Sequence, residues 1–190
     1  MTTVYFIRHA QADPSVRDGR IRPLTEKGLA GRRLVTEFLQ NKRVDAVLSS
    51  PFKRAVDTIA DFAKKNGHEI ELVEDFRERT SDSDWDRAAD FFPLIERQWA
   101  DFSYTLSDGE SLGEVQARNI SALNEALIRY QDQTIVIGTH ATALSVIINH
   151  YDDTYGFADF MAMVHIMPWA VKMVFQKNAC AAIEKIDLRK

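Results

Sequence analysis

Short apolar runs alternate along the chain with longer segments in which apolar residues recur at helical spacing. The first run, from Val4 to Ile7, is continuously apolar, which is typical of a strand buried on both faces of a sheet. The runs that we interpret as strands occupy residues 4–7, 45–49, 70–73 and 134–138, with two or three further strands in residues 161–186. A helix-like segment follows each of the first four runs.

The first helix signal is Thr25, which can cap a helix that runs to about Lys42. Its predicted apolar stripe consists of Leu29, Leu34, Phe38 and Leu39. A second helix follows the second strand and stops at Gly67. Ser111 with Glu114 forms a capping-box pattern that starts a long third helix, and residues 141–150 form another.

Residues 84–102 also have helical spacing, interrupted at Pro93. Four aromatic side chains in this segment either cover a binding site as a lid or belong to the core; they are Trp85, Phe91, Phe92 and Trp99.

Strands that alternate with helices predict an α/β fold, a three-layer α/β/α sandwich with a mainly parallel central sheet. No repeat or Pro/Gly-rich linker interrupts the pattern, so we expect a single domain over residues 1–190. In such sheets, ligands bind beyond the carboxyl ends of the strands. Three of these ends carry polar groups: Arg8-His9, Ser49-Ser50-Pro51 and Thr139-His140.

Charge and composition narrow the range of partners. A net charge of −4 over 190 residues gives no overall attraction to nucleic acid or to an anionic membrane. We find no segment apolar enough to span a bilayer and no leader pattern at the N-terminus. A single cysteine, Cys180, excludes an internal disulfide and fits a reducing compartment, so we expect a cytoplasmic protein. An anion-binding site here must be a local basic pocket.

Two histidines and two or three arginines near neighbouring strand ends predict such a pocket for a phosphoryl group, because guanidinium groups form paired hydrogen bonds with phosphate. The free N–H groups of the helix after Ser50-Pro51 should point toward the same rim. The sequence has neither a P-loop nor a Cys-based phosphatase loop, so a histidine is the candidate nucleophile. Nearby arginine charges should lower the pKa of that histidine and keep it neutral.

The leaving alkoxide needs a proton, and Glu78, in the loop after the third strand, can supply it. A carboxyl with this role is usually shielded from water, so we expect Glu78 to be partly desolvated. The alternative is a surface ion pair with Arg77 or Arg79. Arg22 is a candidate contact to the phosphate or to the rest of the substrate, and otherwise a loop cation.

Several motifs, in the same order along roughly residues 3–150, resemble the histidine phosphatase superfamily, also called phosphoglycerate mutase-like. They are Arg8-His9-Ala10, Arg22-Pro23-Leu24-Thr25 with Gly28, Ser49-Ser50-Pro51-Phe52-Lys53-Arg54-Ala55 with Thr58, Asp108-Gly109-Glu110-Ser111, and Gly138-Thr139-His140-Ala141. The chain departs from the family pattern at Ala10 and Ala141, where the family has glycine. An alanine at residue 10 would be strained if the backbone required glycine.

The resemblance implies a role for each matching residue. His9 would be the residue that is phosphorylated, and Arg8, Arg54 and His140 would bind the phosphoryl oxygens. Glu78 would be the proton donor and then the base for the attacking water, so that His9, Glu78 and His140 form the catalytic set. The family implies neither a metal nor an organic cofactor.

Three functions follow as hypotheses. The first is a phosphatase for a small phosphomonoester, with a phosphohistidine protein as a further substrate class. The second is a phosphoglycerate mutase, which the short chain and the first loop disfavour. The third is a non-catalytic phosphate-binding member, motivated by Ala10 and Ala141 and disfavoured by the intact set of histidines and arginines.

Overall fold

The computed structural model describes residues 1–81 and 91–189. Its strands are β1 (Thr2–Arg8), β2 (Ala46–Ser49), β3 (Ile70–Leu72), β4 (Thr134–Thr139), β5 (Trp169–Gln176) and β6 (Ala179–Ile186). They form a six-stranded sheet in the order β3-β2-β4-β1-β5-β6. The first four strands pair in parallel, whereas β5 and β6 are antiparallel to their neighbours. The predicted mainly parallel central sheet is therefore confirmed.

Helices cover both faces of this sheet. They are α1 (Glu26–Leu39), α2 (Lys53–Lys65), α3 (Phe91–Ala100), α4 (Leu112–Arg129), α5 (Ala141–Tyr151) and α6 (Phe157–Met163), with a 3-10 turn at Glu74–Phe76. Apolar side chains of α1 and α2 form one core cluster with one face of the sheet. Those of α3 to α6 form the larger cluster on the other face. The three-layer α/β/α arrangement is confirmed.

The α1 helix begins as predicted but presents a different face to the core. The Thr25 side chain accepts a hydrogen bond from the Gly28 N–H at 3.0 Å and caps the helix. Leu29, assigned to the buried stripe from its spacing, is 40% exposed, so that assignment was wrong. Gly28 and Gly31 lie on the buried face instead, because this face approaches the first loop closely. A side chain on Gly28 would overlap the Gln11 carbonyl oxygen.

The predicted start of α4 and the predicted end of α2 are both present in the structure. The capping box of Ser111 and Glu114 is present at the start of α4, and Gly67, with φ +72°, follows α2. Pro93 lies within α3, which continues past it without a break to Ala100; the predicted helical residues 84–90 lie outside the described part of the chain.

The aromatic side chains of the suggested lid do not share one environment. Trp99 belongs to the core and contacts Phe102 and Phe160, with ring centroids 5.5 and 5.9 Å away. Phe92 is exposed. Trp85 and the side chain of Phe91 lie outside the part of the structure that is described.

The C-terminal region contains two strands, as predicted, but not from residue 161 onward. Residues 161–163 end α6 rather than forming a strand, because Phe160 and Met163, one turn apart, both pack into the core. No helix within residues 1–81 and 91–189 combines the length and the apolarity needed to cross a bilayer.

Candidate active site

Strand register brings the predicted polar strand ends together. Because β4 lies between β1 and β2, Arg8 is paired with Thr139 and Ser49 with Gly138. The His9 N–H donates to the Thr139 carbonyl at 3.0 Å, which continues the ladder beyond the end of β1. The residues that follow these three strands therefore converge at one edge of the sheet.

His9 and His140 are neighbours in the resulting site. Their ring centroids are 5.3 Å apart, and their exposed fractions are 9% and 0%. The Nδ1 atom of His9 lies 2.7 Å from the Ala10 carbonyl oxygen, which can only accept a hydrogen bond. Nδ1 therefore carries the proton, and the lone pair of a neutral His9 is on Nε2, on the opposite side of the ring.

The other imidazole is held by a serine. His140 Nε2 lies 2.7 Å from the Ser50 hydroxyl oxygen, which also accepts the Phe52 N–H at 3.2 Å. The Phe52 ring packs against the His140 ring at a centroid distance of 5.2 Å. His140 Nδ1 has no hydrogen-bond partner among the described residues.

Burial keeps both imidazoles neutral at physiological pH. Burial, followed by the charges of Arg54 and Arg8, holds the pKa of His9 well below its ordinary value, against a smaller opposing effect of the Ala10 carbonyl. Burial and the charge of Arg54 likewise hold the pKa of His140 well below its ordinary value. A neutral imidazole, as required of a nucleophile, is thus the stable form in this environment.

Arg8 and Arg54 place two guanidinium groups beside the histidines. Arg8 Nη1 donates to the carbonyl oxygens of Met163 and Ile166 at 2.9 and 3.0 Å, and Arg54 Nη1 donates to the Gly19 carbonyl at 2.6 Å. Burial lowers the pKa of each arginine to about 10, with the Glu78 carboxylate opposing the shift. Both side chains therefore remain cationic at neutral pH, and these three bonds go to neutral acceptors.

Thr58 connects Arg54 to the loop that carries His9. Its hydroxyl donates to the Arg54 carbonyl at 2.7 Å and accepts the Ala10 N–H at 2.9 Å. Ala10 is completely buried, and its φ is not positive. The backbone at residue 10 consequently does not require glycine, and the strain considered from the sequence is absent.

Glu78 reaches the start of α5 from the loop after the 3-10 turn. Its carboxylate accepts backbone N–H bonds from Arg79 at 2.9 Å, Thr142 at 3.1 Å and Ala143 at 3.2 Å. Glu78 is half-buried, as expected, and it lines a cavity of about 190 Å³ together with Arg8 and His9.

Two of the backbone N–H groups at the start of α2, where free donors are expected from the sequence, are already paired. The Phe52 N–H donates to the Ser50 hydroxyl at 3.2 Å, and the Lys53 N–H donates to the Arg20 carbonyl at 2.8 Å. These two N–H groups tie the start of α2 to Ser50 and to the loop that contains Arg20.

A wider groove of about 500 Å³ adjoins the site on the side of Arg54 and Glu78. Six arginines line this arginine groove: Arg17, Arg20, Arg22, Arg54, Arg77 and Arg79. The acidic residues among its described lining are Asp18 and Glu78. Two of these arginines are paired with glutamates outside the lining, Arg20 with Glu74 and Arg77 with Glu110. The groove is therefore a moderately cationic surface on a protein of net charge −4.

Arg22, a predicted contact to the phosphate or to the rest of the substrate, lies in this groove. Its guanidinium group donates to the Val16 carbonyl at 2.7 Å and the Arg17 carbonyl at 3.2 Å. Its charge contributes to lowering the pKa of both His9 and Arg54, so it lies within electrostatic reach of the histidine site.

The two arginines that flank Glu78 have different environments. Arg77 forms a bidentate ion pair with Glu110, with the shortest nitrogen–oxygen distance 2.8 Å. Arg79 is only 7% exposed and lines both the cavity and the groove. The sequence suggests Arg79 only as a surface ion-pair partner of Glu78, whereas in the structure it is buried beside the site. The sequence feature that could have indicated this position is that Arg79 directly follows Glu78 in the loop after β3.

Comparisons with known proteins identify the family and the fold. The sequence model of the histidine phosphatase superfamily (branch 1) matches residues 4–172. A bifunctional protein of Mycobacterium tuberculosis is 27% identical over 158 residues, and the match covers 77% of this chain and 43% of that protein. The chain thus spans less than half the length of that relative.

Two phosphatases are also similar. Phosphoserine phosphatase 1 of Hydrogenobacter thermophilus is 26% identical over 155 residues, covering 76% of this chain and 73% of that protein. The structure of a mycobacterial glucosyl-3-phosphoglycerate phosphatase in complex with VO3 superposes with a TM-score of 0.75, at 18% identity, covering 97% of this chain and 98% of that one.

Proposed function

Since this chain belongs to the histidine phosphatase superfamily, we propose that it is a metal-independent phosphatase that hydrolyses a phosphomonoester or a phosphohistidine through an intermediate on His9. The observation that carries the proposal is the buried, neutral imidazole of His9, whose Nδ1 is bonded to the Ala10 carbonyl, so that its lone pair lies on Nε2. We further propose that the chain forms one domain and acts in the cytoplasm.

In the first step, His9 Nε2 attacks phosphorus, a P–N bond forms and the P–O bond to the leaving group breaks. Arg8, Arg54 and His140 stabilise the charge on the three phosphoryl oxygens, which is the main requirement of a largely dissociative transfer. The step starts from the carboxylic acid form of Glu78, which gives its proton to the leaving oxygen, and this oxygen departs as an alcohol.

In the second step, water takes the place of the alcohol. Glu78, now a carboxylate, accepts a proton from this water as its oxygen attacks phosphorus and the P–N bond breaks. Inorganic phosphate leaves, and His9 returns to its neutral form. The same carboxyl thus acts as acid and then as base, and no external reductant, oxidant or metal is needed.

The arginine groove supports a substrate whose alcohol portion is itself anionic. It adjoins the phosphoryl site through Arg54 and Glu78, and Arg22 adds a fixed guanidinium group on its wall. Two of the similar proteins are phosphatases that are named for phosphoserine and for glucosyl-3-phosphoglycerate. We therefore assign Arg22 to the binding of the leaving portion.

The decisive test combines turnover with detection of the intermediate. Purified protein is assayed in EDTA on a panel of phosphate esters, and acid-labile, base-stable phosphate on the protein is measured after rapid quenching. Wild type should turn over and carry the label, and His9→Ala should do neither. His150→Gln, which changes an exposed histidine near the end of α5, is the matched control and should behave as wild type.

Other outcomes identify the alternatives. Return of the phosphoryl group to 3-phosphoglycerate, rather than its release to water, would identify a mutase. Phosphate binding without turnover on the whole panel would identify a non-catalytic member. Full activity of His9→Ala would overturn the proposal.

The proposed role of Arg22 is tested by comparing two substrates that differ in charge. Glycerol 3-phosphate and 3-phosphoglycerate differ at one end, where the second carries a carboxylate. Arg22→Gln should reduce kcat/KM for 3-phosphoglycerate by roughly 10- to 100-fold, since a charge-assisted hydrogen bond contributes roughly 1.5–3 kcal/mol, and should change glycerol 3-phosphate little. Arg33→Gln, at an exposed position of α1, is the control. Equal losses on both substrates would contradict the assignment.

A further inference from the structure

Arg118, on α4, forms hydrogen bonds with the backbone of the loop that carries Glu78. Its Nη1 donates to the carbonyl oxygens of Asp75 at 2.7 Å and Arg77 at 2.8 Å. Its Nη2 donates to the carbonyl of Glu78 itself at 3.2 Å. One rigid guanidinium group thus fixes three carbonyls along four residues, from the 3-10 turn to Glu78.

Glu110 holds the guanidinium group of Arg118 from the other side. Its carboxylate accepts from Arg118 Nε at 2.8 Å and from Arg118 Nη2 at 3.1 Å. The same carboxylate accepts the Thr80 N–H at 2.7 Å, and the Glu110 N–H donates to the Thr80 carbonyl at 3.0 Å. Arg118 and Glu110 side chains are only 11% and 16% exposed, so the contacts are largely shielded from water.

Arg118 and Glu110 therefore hold the loop on both sides of Glu78. Arg118 binds the carbonyls of Asp75 and Arg77 before it, and Glu110 binds the backbone of Thr80 after it. The Glu78 carboxylate accepts hydrogen bonds from the Thr142 and Ala143 N–H groups at the start of α5. Proton transfer requires the donor to lie within hydrogen-bond reach of the leaving oxygen, and small displacements cost rate. Neither Arg118 nor Glu110 lines the cavity that contains His9.

We propose that Arg118, oriented by Glu110, is a positioning residue that sets the reach of the Glu78 carboxyl, and thereby allows the enzyme to cleave esters with poor leaving groups. The inference rests on the proposed role of Glu78 as proton donor. An alkoxide is a strong base and cannot depart without a proton, whereas dinitrophenolate departs as the anion. Arg118 therefore matters for alkyl phosphates and not for activated aryl phosphates.

The experiment compares kcat/KM for an alkyl phosphate and for 2,4-dinitrophenyl phosphate, because kcat/KM reports the first phosphoryl transfer and not the later hydrolysis. Arg118→Gln should lower the value for the alkyl ester on the order of 100-fold, the usual contribution of a general acid, and the value for the aryl ester less than about threefold. Arg118→Lys keeps the charge but has a single nitrogen for several acceptors, so it should fall between wild type and Arg118→Gln.

The matched control is Arg129→Gln. Arg129 lies on the same helix and also forms an ion pair with a glutamate of another element, Glu71, at 2.6 Å, but at the opposite end of the sheet. It should leave both substrates unchanged. Thermal melts of all variants, measured beside the kinetics, identify any that do not fold, and Arg118→Lys then carries the comparison.

The outcomes separate this inference from the proposed function. If Glu78→Gln discriminates between the two esters and neither Arg118 variant does, the positioning role is wrong and the role of Glu78 stands. Equal losses on both esters in a folded Arg118 variant would mean a merely structural role and overturn the inference. If Glu78→Gln itself fails to discriminate, the proton-donor role and this inference fall together, while labelling of His9 still tests the nucleophile.

Discussion

The Ser50 hydroxyl oxygen and His140 Nε2 are 2.7 Å apart. The same oxygen accepts the Phe52 N–H, and within the described residues the Ser50 hydrogen has no acceptor other than the Nε2 lone pair. This arrangement favours the His140 tautomer with its proton on Nδ1, the nitrogen that has no partner among the described residues. A buried Nδ1–H is a ready donor to a phosphoryl oxygen.

Ser50→Ala should weaken phosphate binding. Loss of the hydroxyl releases the preference for the Nδ1–H tautomer, so the Kd for inorganic phosphate should rise about threefold to tenfold, as expected for one net hydrogen bond of about 1 kcal/mol. Isothermal titration calorimetry measures this change. Ser145→Ala removes another buried serine hydroxyl, which pairs with Tyr155 at 3.2 Å, and should leave the Kd unchanged. A similar rise in both variants would contradict the prediction.

The two histidines should make the protein less stable in acid. Their pKa values are held well below the ordinary range, so the unfolded chain takes up protons near pH 6.5 that the folded chain does not. The free energy of unfolding should therefore fall as the pH drops below about 6.5, by up to about 1.4 kcal/mol per pH unit for each imidazole. Urea unfolding of wild type and His9→Gln measures this slope, which should be shallower in the variant by about that amount. Identical slopes would contradict it.

Glu110 should also contribute to the free energy of unfolding in a pH-dependent way, but through a carboxylate that is stabilised in the folded state. Burial alone would raise the pKa of Glu110, but hydrogen bonds from Arg118, the Thr80 N–H and Arg77 lower it to about 2. Its contribution is complete above pH 4.5 and is lost as the pH falls toward 2. Glu110→Gln should therefore reduce the free energy of unfolding at pH 7 by roughly 2–3 kcal/mol.

The difference between wild type and Glu110→Gln should shrink as the pH falls from about 4.5 to about 2, over the interval in which the folded wild type itself takes up the proton. Glu184→Gln is the control, since Glu184 forms only an exposed ion pair with Lys172 at 3.7 Å. A difference that stayed constant between pH 7 and pH 2.5 would contradict the assigned role of the charge.

Gly28→Ala should be destabilising although it lies in a helix, where alanine is ordinarily favoured. The added Cβ would overlap the Gln11 carbonyl oxygen, so α1 and the loop after His9 must separate, at a cost of about 1–3 kcal/mol. Gly156→Ala has no heavy atom within 4 Å of the added Cβ and should be tolerated. Thermal unfolding of both variants provides the measurement, and a Gly28→Ala protein as stable as wild type would refute it.

The sequence by itself determined what depends on short-range physics. An apolar run identifies β1, the side chain of Thr25 caps α1 through an N–H three residues away, and Ser111 and Glu114 cap α4 reciprocally. Parallel strands also end at a common edge, so the sequence could predict that His9 and His140 converge.

Tertiary structure alone decided which faces pack and which distant groups meet. Leu29 has core spacing yet is exposed, because two glycines on the neighbouring face of α1 approach the first loop more closely. Arg118 contacts the Glu78 carbonyl across 40 residues of sequence, and nothing local to either residue encodes that distance. Local hydrogen bonds and periodicity act within a few residues, whereas close packing and buried charge pairing depend on how whole elements dock.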